Sequence, residues 1–105
     1  MTEPITGELA RAFEDAVAAY ENWDPHFEGR RIPVGTQFFT IEAVGDLVSK
    51  YTDPLPEHVF MQLRSYMQEE PHGDLIADLE RRPTYDVGGR CLRRLIERRR
   101  EANRG

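Results

Sequence analysis

The segment from Thr40 to Glu70 constrains the fold most, because it carries two apolar stripes of helical period on either side of a proline-rich turn. Within each stripe the apolar residues recur three and four positions apart, which places them on one helix face. The stripes are Ile41, Val44, Leu47, Val48 and Tyr51, then Val59, Phe60, Leu63, Tyr66 and Met67. A short turn leaves consecutive helices as packed neighbours, so we predict a helical hairpin with helices over 40–51 and 55–70.

Three other stretches show the same period and predict helices over residues 7–22, 74–81 and 86–102. Four helices follow a residue that can accept hydrogen bonds from the free amides of the first turn. These expected N-caps are Thr6, Thr40, Asp74 and Asp86. The pattern predicts an all-α fold, a small single-domain bundle of four to five helices over residues 1–105.

The stretch between the first two helices has no sustained period, because prolines and glycines interrupt it. Its apolar residues argue against a solvated linker; they are Trp23, Phe27, Ile32, Val34, Phe38 and Phe39. We expect this loop to wrap the core, with a short extended piece over 31–34. The alternative is a partner-binding loop anchored by Trp23 and Phe27, since a few large side chains carry most of the energy of an interface.

Charge is divided unevenly along the chain, whose formal net charge is −5. Residues 1–80 contain 5 basic and 16 acidic side chains, a balance of −11, whereas residues 81–105 contain 9 basic and 3 acidic ones, a balance of +6. Such a split indicates a charged partner or an interacting tail. The apolar stripe of the last helix ends at Ile96, so we expect residues 97–105 to project into solvent or to fray.

The basic residues of the last helix are all arginines: Arg90, Arg93, Arg94, Arg98, Arg99 and Arg100, with Arg104 beyond. One interpretation is a solvated face that pairs with nearby glutamates, with the acidic body or with a second copy. The other is a phosphate-binding surface over residues 90–104, because arginine makes forked contacts to phosphate oxygens. The sequence pI of about 5.2 and the absence of lysine and aromatic residues among the arginines weigh against nucleic acid.

Two adjacent glycines, Gly88 and Gly89, lie near the start of the last helix. They could expose backbone amides to an anion, yet the segment matches neither nucleotide-binding glycine motif. The interpretation we favour is that they permit another helix to pack closely.

We find no pattern that predicts catalysis, a metal or another cofactor. The three histidines, His26, His58 and His72, lie far apart and none has a ligand spacing with Cys91. Cys91 lies on the apolar stripe of the last helix, so we expect a small buried hydrophobe rather than a nucleophile. One cysteine, no apolar run of membrane-spanning length and no basic, apolar leader predict a cytoplasmic protein without membrane contact. We expect the protein to be bacterial.

Taken together, these features favour a small acidic protein–protein interaction module, an accessory, inhibitor or regulatory subunit that binds a partner protein or itself, and not an enzyme. The expected interface residues are Trp23, Phe27, Arg90, Arg93, Arg94 and Arg98. A dimer would form through the last helix if its arginines met the acidic body of a second copy. The alternative is a nucleic-acid-binding accessory protein that uses the arginine-rich helix.

Overall fold

The computed structural model of this protein describes residues 4–22, 31–69 and 74–104, which form five helices and one β-hairpin. The helices are α1 (Gly7–Glu21), α2 (Ile41–Val48), α3 (Glu57–Glu69), α4 (Asp74–Arg81) and α5 (Tyr85–Arg104). The strands, β1 (Ile32–Val34) and β2 (Gln37–Phe39), lie between α1 and α2. The predicted helical bundle is therefore confirmed. None of the helices in the described ranges combines the length and apolar character needed to cross a membrane.

Side-chain caps fix the starts of α1 and α2 as predicted. The hydroxyl of Thr6 accepts a hydrogen bond from the backbone N–H of Leu9 at 3.2 Å. The hydroxyl of Thr40 accepts one from the N–H of Ala43 at 3.1 Å. Each cap satisfies one of the amides that a helix start leaves without an intrahelical partner.

The predicted cap of α5 is wrong by two residues. The helix begins at Tyr85, and the carbonyl of Thr84 accepts the N–H of Gly88 at 2.8 Å, so Asp86 lies inside the first turn. The reason is tertiary: the backbone around Thr84 is bridged to Pro54 in the turn between α2 and α3. That bridge sets where α5 starts, and Asp86 instead accepts a hydrogen bond from the Thr84 hydroxyl. Asp74 is likewise the first residue of α4 rather than the residue before it.

The core lies between α5 and the other four helices, with α1 and α2 packed on each other beside it. The apolar stripe of α5 is buried along its whole length, as the spacing predicts: Val87, Cys91, Leu92, Leu95 and Ile96. Phe13 of α1 is fully buried and meets Tyr85 of α5 edge to face, with ring centroids 5.7 Å apart. This arrangement turns the opposite face of α5 toward solvent.

Helices α2 and α5 approach closely at two glycines. A Cβ atom at Gly89 would lie 2.5 Å from the carbonyl oxygen of Gly45 and 2.9 Å from Cγ2 of Val48. The backbones therefore touch where no side chain intervenes. This confirms that Gly89 serves helix packing, as favoured from the sequence.

The segment expected to be a loop with one extended piece contains a β-hairpin. Strands β1 and β2 are antiparallel, with Ile32 opposite Phe39 and Pro33 opposite Phe38. The two-residue turn contains Gly35 at φ +63°. A positive φ at the first central position is what a type II′ hairpin turn requires, and glycine adopts it without strain.

Candidate interaction surfaces

The described arginine side chains of α5 face either the body of the protein or solvent. We call Arg93, Arg99 and Arg100 the inner row, because their side chains contact α1 and α2. We call Arg90, Arg94, Glu97 and Glu101 the outer face, because all four are exposed and lie on the side of α5 away from the core. Arg98 is exposed at the edge of the outer face.

The inner row holds α5 against α2 through two ion pairs. Nη1 of Arg93 lies 2.7 Å from Oδ1 of Asp46, and Nη1 of Arg100 lies 2.7 Å from Oε2 of Glu42. Asp46 and Glu42 are one turn apart on α2 and face the same neighbour, because residues four apart share a helix face. These two arginines are therefore engaged within the fold.

The third member of the inner row, Arg99, caps the end of α1. Its Nη1 donates a hydrogen bond to the backbone oxygen of Tyr20 at 3.2 Å, and its guanidinium lies 4.2 Å from the centre of the Tyr20 ring. Helix α1 has no basic residue in its own last turn, so Arg99 supplies the positive charge that the C-terminal end of a helix favours. The contact is structural and also cation–π in character.

The outer face is electrically balanced rather than basic. On a helix of 3.6 residues per turn, its four residues fall within an arc of about 60°. Arg90 and Arg94 form no ion pair within the described part of the chain. Two arginines and two glutamates share the face, so its formal charge is zero.

The hairpin carries an exposed apolar face that no pattern in the sequence had indicated. Phe38 is 62% exposed, and Pro33 directly opposite it is exposed as well. Ile32 and Phe39 point the other way and pack against the core. We call Pro33 and Phe38 the hairpin face. An alternation of inward- and outward-facing residues on both sides of the glycine turn could have indicated this face. Strands of three residues show too little of that alternation.

The structure describes four of the six predicted interface residues. Arg93 contacts its own body, whereas Arg90, Arg94 and Arg98 are exposed on α5. Trp23 and Phe27 lie outside the described residues. Among the large apolar side chains that the structure describes, Phe38 and Met61 are the exposed ones, at 62% and 50%.

Cys91 is a buried thiol, as predicted. It is fully inaccessible to solvent, and burial raises the pKa of its thiol to about 12. The nearby Arg90 guanidinium lowers that pKa and the Asp78 carboxylate raises it, but burial dominates. Because the thiolate is the reactive form of cysteine, this side chain is inert in the folded protein.

In the described part of the chain, two shallow clefts lie between α1 and the segment 31–35. The larger has a volume of about 430 Å³, and Glu8, Arg11 and Asp15 line it together with Gly7, Pro33 and Gly35. No group of three or more histidine, cysteine or acidic side chains in the described ranges is arranged to hold a metal ion. His58 pairs with Glu14 at 2.9 Å on the exposed surface; His26 and His72 lie outside the described residues.

Comparisons with known proteins add no relative: no protein-family model, no curated protein and no solved structure matches this chain.

Proposed function

We propose that this protein is a protein–protein interaction module, an accessory, inhibitor or regulatory subunit, whose hairpin face anchors a partner protein. The exposed phenyl ring of Phe38 is the observation that carries the proposal. Aromatic residues are enriched in protein interfaces, and a few of them supply most of the binding energy. Fully burying a phenylalanine side chain is favourable by about 1.5–3 kcal/mol, which is enough to make one ring a principal contact.

The hairpin presents this ring from a fixed position. Ile32 on the opposite face of β1 is 3% exposed and packs in the core, and β1 contacts α1. A two-residue turn with Gly35 at positive φ leaves the hairpin no long connection in which to rearrange. A preorganised contact loses less conformational entropy on binding than a mobile one.

The negative charge of residues 1–80 favours a protein partner that carries a basic surface. Residues 1–80 have a balance of −11, of which two carboxylates, Glu42 and Asp46, pair with arginines of α5. The negative charge that remains raises the rate of encounter with a cationic surface. Because the single cysteine is a free thiol, we propose that the encounter takes place in a reducing compartment such as the cytoplasm.

Nucleic-acid binding through α5 is the second candidate, because Arg90, Arg94 and Arg98 are exposed. The arrangement favours it less. The inner-row arginines already contact carboxylates or a backbone carbonyl, and Glu97 and Glu101 would repel phosphates from the outer face. A phosphate-tracking surface gains its affinity from unopposed cations.

Affinity capture with a matched pair of variants tests the hairpin proposal. Phe38→Ser and Met61→Ser each remove one large exposed side chain, from β2 and from α3 respectively. Both should change the free energy of unfolding by less than about 0.5 kcal/mol, because surface substitutions away from special contacts are nearly neutral. Immobilised protein is exposed to lysate of the source organism, with and without nuclease.

We expect the wild type and M61S to retain the same discrete protein and F38S to lose it by about tenfold or more, with nuclease having no effect. Folding of each variant is checked by circular dichroism and thermal unfolding. Equal recovery by a folded F38S would refute the hairpin as the anchor, and recovery that nuclease abolishes would move the function to nucleic acid.

A further inference from the structure

The order of charges on the outer face of α5 suggests a second binding partner. Arg90 and Arg94 lie in the half of the face toward the N-terminus, and Glu97 and Glu101 lie in the other half. All four are exposed. Reversing the helix direction exchanges the two halves, so the face is complementary to an antiparallel copy of itself.

We propose that α5 pairs with α5 of a second copy of this chain, antiparallel, through the outer face. This inference goes beyond the proposed function and rests on a different surface from the hairpin face. A twofold axis gives an isologous interface, in which the same patch serves on both subunits. In such a contact each arginine of one copy meets a glutamate of the other.

The register follows from the spacing. The point midway between Leu95 and Ile96 is also midway between Arg94 and Glu97 and midway between Arg90 and Glu101. A twofold axis at that height therefore brings Arg90 level with Glu101 of the other copy, and Arg94 level with its Glu97, along the helix axis. With a rise of 1.5 Å per residue, the outermost residues of the face are about 16 Å apart along the axis, roughly three turns.

The two flanks of the face differ. On one flank Arg93 and Arg100 form ion pairs with Asp46 and Glu42 of α2. On the other flank Arg98 is exposed, and it adds one positive charge per copy at the edge of the contact. The outer face contains no apolar residue, and the contact is small. Small polar interfaces belong to transient complexes, and exposed ion pairs weaken in salt. The dimer is therefore weak and salt-sensitive.

Two double variants of identical composition test the register. In R90E/E101R the charges at opposing positions are exchanged, so every cross-copy pair stays complementary. In R90E/E97R the same number of charges is exchanged, but position 90 then places a glutamate opposite Glu101, and position 97 places an arginine opposite Arg94. Both variants keep the net charge of −5, so long-range repulsion between copies is the same.

Sedimentation equilibrium of the full chain at up to about 1 mM protein measures the dissociation constant. Salt is set at about 0.1 M, where the Debye length is about 10 Å and net-charge repulsion is partly screened. We expect wild type and R90E/E101R to associate with dissociation constants within about threefold of each other, and R90E/E97R to be weaker by about tenfold or more. In about 1 M salt all three should be monomeric.

Circular dichroism of each variant confirms the helix content, and F38S, whose outer face is intact, should dimerise like the wild type. A monomeric wild type, or equal dissociation constants for the two double variants, would overturn the proposal. Failure of F38S to capture a partner protein bears only on the hairpin, so the two proposals fail separately.

Discussion

Gly89 is the residue at which the packing of α2 on α5 has least tolerance. The nearest atoms to a Cβ at this position are backbone and a β-branched side chain, Gly45 O at 2.5 Å and Val48 Cγ2 at 2.9 Å. Neither can move aside without displacing a helix. Gly7 contrasts with it, because a Cβ there would meet nothing within 4 Å.

Gly89→Ala should therefore lower the free energy of unfolding by about 1–3 kcal/mol, the usual cost of forcing an extra carbon into a packed core. Gly7→Ala is the matched control and should leave stability unchanged or raise it by up to about 1 kcal/mol, since alanine favours helix more than glycine does. Urea denaturation of the two variants measures both changes. A G89A protein as stable as G7A would contradict the close contact.

At the scale of the element, α5 is held to α2 by ion pairs of unequal burial. The Arg100 and Glu42 side chains are 34% and 28% exposed, whereas those of Arg93 and Asp46 are 42% and 55% exposed. Ion pairs lose strength with solvent exposure, because water screens them and competes for their hydrogen bonds. Glu42 also lies in the first turn of α2, where the helix dipole favours a negative charge.

Glu42→Gln should consequently destabilise the protein by about 1 kcal/mol and Asp46→Asn by about 0.3 kcal/mol. Glu101→Gln, on the outer face, is the control and should have no measurable effect at a protein concentration where the chain is monomeric. Chemical denaturation at low and high salt separates the electrostatic part of each loss in the free energy of unfolding. That part should become smaller in high salt, and the change should be largest for E42Q. If D46N lowered the free energy of unfolding more than E42Q did, burial would not decide the strength of these ion pairs.

The elements that the sequence predicted well are those with a long apolar period. Helix α1 begins at its predicted first residue, which Thr6 caps, and ends within one residue of its predicted limit; seven residues of one face are buried. The extended piece expected over 31–34 corresponds to β1, but β2 and its pairing escaped prediction, because three-residue strands contain too few positions to show a period of two. Phe38 was one of the apolar residues that argued against a solvated linker; its exposure depends on which side of the hairpin meets α1 and α2.

The candidate surfaces were predictable only in part, because they depend on tertiary contacts. The run of arginines is plain in the sequence, and the apolar stripe of α5 tells which side of the helix is buried. Which arginines pair with carboxylates depends on α2 crossing α5 at Gly45 and Gly89, a tertiary contact that no local pattern encodes.

At the scale of the whole molecule, the basic helix and the acidic body are joined by the inner row. The charge balance of +6 over residues 81–105 therefore overstates what the surface presents, because Arg93 and Arg100 contact carboxylates of α2. We propose that the remaining charges of α5 serve contacts between proteins and not contacts to phosphate.

Fluorescence anisotropy of labelled single- and double-stranded oligonucleotides tests that claim most directly. The full chain is titrated at about 0.05 M and about 0.2 M salt, because phosphate contacts lose affinity steeply over that range. We predict no saturable binding up to about 100 μM protein, the weak end of non-specific nucleic-acid affinity. Saturable binding whose logarithmic slope against salt is about −2 or steeper, and which R90E/R94E abolishes, would contradict the account and assign the exposed arginines to phosphate.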